Sequence, residues 1–138
     1  MAVEIRKIDY YYAIVPDKPG EGARILSALH QAGINLIGFS GFPAGARKAQ
    51  LDFLPEDSAA FAKAARNAGL KLSKKKAGLL IQGEDQPGAG AEIFGKLAAA
   101  GVNVTSLQAV SAGAGRFGGM LWVKATDMRK AVKALGAA

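Results

Sequence analysis

The sequence predicts an α+β fold in which one unit of about 65 to 70 residues is written twice. Two observations carry this reading. The turn Asp17-Lys18-Pro19-Gly20-Glu21-Gly22 recurs 68 residues later as Asp85-Gln86-Pro87-Gly88-Ala89-Gly90. The residues after each turn match as well: Ile25, Leu29 and Ala32-Gly33-Ile34-Asn35-Leu36 in the first copy, Ile93, Leu97 and Ala100-Gly101-Val102-Asn103-Val104 in the second. Each turn therefore separates a strand from a helix of fixed periodicity.

Ile8 to Val15 is rich in aromatic and β-branched residues and is bounded by Pro16, the pattern of a strand. Val3 and Ile5 extend it toward the N-terminus. Within Tyr10-Tyr11-Tyr12 the outer two share one face and Tyr11 takes the other, so sheet packing accounts for all three. Glu21 to Ala32 carries Ile25, Leu26 and Leu29 at helical spacing, with Ala23 and Ala32 extending the stripe and Gly33 as the terminating glycine. His30, the single histidine, lies near the helix end, where it can sit in solvent or help satisfy the terminal carbonyls.

Ile34 to Phe42 reads as a strand, Pro43-Ala44-Gly45 as a hairpin, and Lys48 to Leu54 as the returning strand, stopped by Pro55. Asp57 or Ser58 caps an alanine-rich helix whose Phe61, Ala64, Ala65 and Ala68 face inward, ended by Gly69. Leu70 to Ser73 is the last short strand. The order β-α-β-β-α-β is ferredoxin-like. In the second copy the same order gives a strand over Ala77 to Gly83, a helix over Gly88 to Ala100, and a strand over Val102 to Ser111. A hairpin at Gly113-Ala114-Gly115, a strand over Arg116 to Ala125 with the single Trp122, and a helix from an Asp127 cap to Leu135 complete it. No last strand comes after that helix, and the residues ahead of Ile8 are the candidate to fill that place. The expected domains are residues 1–76 and 77–138.

Half of the residues are hydrophobic and 21% are charged, ordinary for a globular chain. The net charge of +7 is uneven, with 12 Lys/Arg against 7 Asp/Glu in residues 1–76 and 6 against 4 in residues 77–138. The one dense basic cluster, Lys74-Lys75-Lys76, reads as a solvated junction. There is no cysteine, hence no disulfide framework, thiolate nucleophile or thiolate metal site. No signal-peptide core and no apolar run of membrane-spanning length is present, so the expected location is the cytoplasm.

Catalysis needs a nucleophile, an acid/base pair, a metal or a cofactor site. One histidine and singly dispersed carboxylates offer none of these, and Gly20-Glu21-Gly22 and Gly88-Ala89-Gly90 lack the third glycine of a dinucleotide fingerprint. The chain is read as a non-enzyme without cofactor or metal. The two turns carry what chemistry there is. A helix N-terminus leaves N–H groups unpaired at the positive end of its dipole and receives a small anion well. The plainer alternative is that Asp17 and Asp85 cap their helices and the glycines only shape a turn.

Asp-x-Pro-Gly closing a strand, a helix with Ile-x-x-x-Leu, then Ala-Gly-Ile/Val-Asn opening the next strand resembles the ACT domain, and does so twice over essentially the whole chain. The resemblance is to stand-alone tandem ACT proteins. It implies two ferredoxin-like units with antiparallel sheets and helices on one face, the second lacking its own last strand. It implies a non-catalytic regulatory module that binds a small amino acid or related metabolite at the seam between paired domains, working as a homodimer or with a metabolic enzyme. The implied ligand residues are Asp17, Pro19, Gly20, Gly22 and Asn35, and equivalently Asp85, Pro87, Gly88, Gly90 and Asn103. Backbone N–H groups of the turn would hold a ligand carboxylate, with Asn offering donor and acceptor. An oligomerisation module with degenerate sites is the alternative. An RNA-binding module is disfavoured, because Ala49-Gln50-Leu51-Asp52-Phe53 and Gly119-Met120-Leu121-Trp122-Val123 lack the aromatic run of an RNA recognition motif. Membrane and nucleic-acid partners are not expected.

Overall fold

The computed structural model describes residues 3–138, which divide into two compact units: residues 9–76, and residues 77–138 together with residues 3–8. Of the strand β1 (Val3–Pro16), residues 3–8 fall in the second unit and the rest in the first. In the first unit β1 is followed by α1 (Glu21–Gln31), β2 (Leu36–Pro43), β3 (Lys48–Pro55) and α2 (Ser58–Asn67). The strand order is β2-β3-β1, antiparallel throughout, with Tyr11 opposite Phe53, Pro16 opposite Lys48 and Leu36 opposite Pro55.

Alternation along β1 sends Tyr11, Ala13 and Val15 to one face, where they meet Ile25 and Leu29 of α1, Leu51 and Phe53 of β3, and Phe61 and Ala65 of α2. Phe61 packs between Tyr11 and Phe53, its ring tilted to both, at centroid separations of 5.3 and 5.2 Å. The Tyr11 hydroxyl shares a 2.8 Å hydrogen bond with Ser58 Oγ. Both helices thus cover one face. Leu26, read as part of the apolar stripe, is exposed, because it stands one residue, about 100° of helix, past Ile25. His30 is exposed, Asp57 Oδ1 caps α2 by accepting from Ala60 N at 3.0 Å, and Gly33 and Gly69 sit at positive φ past their helices.

Leu70–Ser73, expected as the last strand of this unit, forms none. Its contact with β1 is at Ser73, whose N–H donates to the Tyr12 carbonyl (2.8 Å) while its Oγ accepts from Tyr12 N (2.9 Å). A side-chain oxygen takes the place of a ladder carbonyl there, so the pairing does not propagate.

The second unit runs β4 (Lys76–Glu84), α3 (Ala89–Ala99), β5 (Ser106–Gly113), β6 (Arg116–Trp122), a 3-10 turn (Ala125–Asp127) and α4 (Met128–Leu135). Its strand order is β1-β4-β6-β5, with Glu84 opposite Arg116 and Ser106 opposite Trp122. Leu79, Ile81, Ile93, Leu97, Leu121, Met128, Ala131 and Leu135 form its core, and Val3 and Ile5 pack against that core. Ile5 accepts from Ala138 N (3.0 Å) and Lys7 N donates to the Ala138 carbonyl (3.0 Å). Residues 3–8, expected in the first domain, therefore belong with the second; Met1 and Ala2, the rest of that candidate filling segment, lie outside the described residues. Asp127, expected to cap the last helix, makes no side-chain cap; it ends the 3-10 turn, and its Oδ1 lies 3.8 Å from Lys130 Nζ.

Candidate functional site

Each strand-to-helix turn is built the same way. Gly20 stands at φ 90°, ψ −16° and Gly88 at φ 90°, ψ −4°, the conformation of the third residue of a type II turn. Glu21 N closes the first turn onto the Lys18 carbonyl and Ala89 N closes the second onto Gln86, both at 3.4 Å. Pro19 and Pro87 occupy the position whose φ the pyrrolidine ring presets, and glycine alone takes the following left-handed position without strain. Arg24 N then donates to Gly20 O (2.9 Å) and Glu92 N to Gly88 O (3.0 Å), starting α1 and α3.

Gly20 and Gly88 are the N-cap residues, and neither helix has a side-chain cap. The capping expectation for Asp17 and Asp85 does not hold. Both stand ahead of the turn, and their backbone N–H groups donate to the tip of the neighbouring hairpin, Asp17 to Arg47 O and Asp85 to Gly115 O, each at 2.9 Å. The hairpin tips reach these positions through left-handed residues, Arg47 (φ 58°) in one and Ala114 (φ 54°) between two glycines in the other.

Gly22 and Gly90 have no conformational reason to be glycine. Neither has positive φ, and a Cβ added to either would meet nothing within 4 Å. Glycine in a helix costs about 1 kcal/mol relative to alanine, and both copies bear that cost at the second helical position. Gly90 is exposed and Gly22 half-buried, and neither puts a side chain over the first turn of its helix.

The two turns differ in where the first-turn acid stands. In the first, the Glu21 carboxylate occupies the opening helical residue and accepts from Arg24 at 2.6 Å, a bond that holds its carboxyl below the usual range. In the second, that position is the buried Ala89, and the nearest acid along the helix, Glu92, pairs with Lys96 at 3.4 Å.

Asn35 and Asn103 are not brought to their turns within a unit. β2 runs parallel to β1, so its first residue lies at the end of the sheet remote from Asp17; from Pro43, beside the hairpin, back to Leu36 is seven strand steps, about 23 Å. There Asn35 Nδ2 donates to Glu56 Oε2 (3.0 Å) and Glu56 N donates to Asn35 O (3.0 Å). Asn103 precedes β5 in the same sense and lines a shallow groove of about 430 Å³ with Phe94, Thr105 and Ser106. The β-α-β order contained this information, since a strand entered from a crossover helix starts at the end where its parallel neighbour starts.

A second polar group went unread in the sequence. Asp52, in the middle of β3 on the face away from the helices, is 6% exposed and accepts from Gln50 Nε2 at 3.0 Å. Burial raises its carboxyl pKa, against the smaller lowering from Gln50. Burial, then the neighbouring Asp52 charge, raises the Tyr10 hydroxyl. Among the described residues no group of three or more His, Cys, Asp or Glu side chains is placed to hold a metal, and no helix is long and apolar enough to cross a membrane.

No family model matches the chain, and no curated protein does. Solved structures do match in fold. A protein from Bacteroides thetaiotaomicron superposes with a TM-score of 0.79 at 19% identity, over 97% of this chain and 88% of its own. The ligand-free regulatory subunit of aspartate kinase from Thermus thermophilus gives 0.68 at 19%, over 99% and 95%. That from Thermus flavus gives 0.61 at 20%, over 99% and 95%. At such identities the likeness establishes the fold, which is ACT-like.

Proposed function

We propose that the chain is a non-catalytic regulatory module of the tandem ACT type that binds a small amino acid or related metabolite, with the ligand carboxylate held on the first-turn N–H groups of α3. The observation that carries this reading is the pair Gly22 and Gly90: the type II turn accounts for Gly20 and Gly88, whereas nothing in the fold requires the second glycine of either copy. A bare helix start facing solvent is what a carboxylate needs. The α3 turn is favoured over that of α1 because Glu21 sets its carboxylate on the opening residue of α1, whereas the first-turn acid of α3, Glu92, stands three residues further on. The regulatory subunits of aspartate kinase that share the fold support a role in which ligand binding shifts a partner's or a second copy's equilibrium through differential affinity.

The test is a thermal-shift screen against the twenty amino acids and related metabolites. A true ligand at 100 times its dissociation constant stabilises by about 2.7 kcal/mol. Stabilisation by one chemical class supports the reading; a flat response across the panel supports the oligomerisation module instead. Substitutions at Gly90 are the informative variants. Gly88→Val, the more obvious choice, strains a φ of 90° and perturbs the turn itself.

A further inference from the structure

We infer that the first unit carries a separate anion site, suited to a small phosphorylated molecule, in the groove between the C-terminal half of α2 and the irregular segment Leu70–Lys75. Because that segment does not complete a strand, it leaves a groove of about 620 Å³. Tyr11 and Leu72 contribute to its lining, and Arg66, Lys71, Lys74 and Lys75 are the charged residues along it. No carboxylate lines the groove, and none of the four cations forms an ion pair among the described residues. Lys76, the third member of the sequence cluster, is engaged elsewhere, its Nζ 5.9 Å from the Tyr12 ring centroid.

The neutral polar side chains of the groove are already engaged. Tyr11 bonds Ser58, and Ser73 Oγ bonds Tyr12 N and the Lys74 carbonyl. Four unneutralised cations are therefore the side chains with bonding capacity left. Like charges gathered along one groove repel, and an anion of several charges neutralises them where a single carboxylate offsets one charge of four. Guanidinium and ammonium donors match phosphate oxygens, and the volume is that of a small-molecule site. A strand of nucleic acid fits less well. The aromatic residue of the groove, Tyr11, is buried against Phe61 and offers no platform for successive bases.

The experiment is calorimetric titration of the full chain at low ionic strength with ATP, pyrophosphate and adenosine. ATP and pyrophosphate are expected to bind and adenosine not to. Lys74→Gln/Lys75→Gln and, separately, Arg66→Gln/Lys71→Gln should each weaken ATP by about tenfold. All four positions are exposed, and unchanged melting of either pair suffices for its result to count. Gly90→Ala should leave ATP affinity unchanged, so this site and the turn stand or fall separately. The inference is overturned if neither ATP nor pyrophosphate binds, if both variant pairs bind ATP as the wild type does, or if a short oligouridine binds where ATP and pyrophosphate do not.

Discussion

Removing the residues through Lys7 is predicted to unfold the second unit selectively. Of the segment's described part, Val3 and Ile5 are partly buried against the Leu79–Leu121 core, and Ile5 and Lys7 hold Ala138 by two backbone hydrogen bonds. Full truncation of a core aliphatic side chain costs about 2 to 5 kcal/mol, so two partly buried ones contribute roughly 1 to 2 kcal/mol each. The two hydrogen bonds add about 1 kcal/mol each. The sum, about 4 to 6 kcal/mol, is comparable with the whole stability of a small domain. Residue-resolved hydrogen exchange on the truncated chain is the assay. Amides of Leu79, Ile81 and Leu121 should exchange about a thousandfold faster, while those of Leu51 and Phe53 in the other core lose far less protection. Unchanged protection at Leu79, Ile81 and Leu121, with an unchanged melting curve, would refute the argument that β1 completes the second unit.

Gly22→Ala and Gly90→Ala should each stabilise the chain by roughly 0.5 to 1 kcal/mol in chemical denaturation, since neither new methyl meets a neighbour; Gly90→Ala should also weaken the amino-acid ligand, and a gain of stability without loss of affinity would show the bare turn to be incidental. Asp52 binds its proton more tightly folded than unfolded, so its contribution falls as pH rises from about 4, the unfolded value, through the raised folded one. Asp52→Asn should therefore melt above the wild type at neutral pH and converge with it in acid; the reverse order would contradict a carboxyl desolvated by burial. Phe61→Ala, which empties the centre of the first core, should cost about 3 to 5 kcal/mol, and a melting curve close to wild type would mean that Tyr11 and Phe53 collapse into the space.

The sequence announced the parts of the fold whose causes are local. Pro19-Gly20 and Pro87-Gly88 form the turns their chemistry demands, Gly33 and Gly69 end helices at positive φ, and Asp57 caps α2. Non-local choices were less legible. Leu70–Ser73 has strand composition, yet a serine hydroxyl substitutes for a carbonyl at Tyr12 and the ladder stops. Asp17 and Asp85 precede helices as capping residues do, but a four-residue turn intervenes and their N–H groups go to hairpin tips instead. Residues of the candidate turn were readable because they are contiguous. The placement of Asn35 beside Glu56 stems from strand direction rather than from spacing. The cationic groove was hidden because Arg66 stands on α2 while Lys71, Lys74 and Lys75 stand on the segment after it, which reads as a strand over Leu70–Ser73 and instead runs irregularly along a groove they share.

Carboxylate binding at the α3 turn is tested by amide NMR of the chain titrated with the amino acid that stabilises it most in the thermal-shift screen. Binding on the α3 turn predicts the largest shifts at Gly90 and Ala91, with smaller ones at Gly22 and Ala23. Shifts confined to the groove around Asn103 and Thr105, or none at either turn, would contradict it.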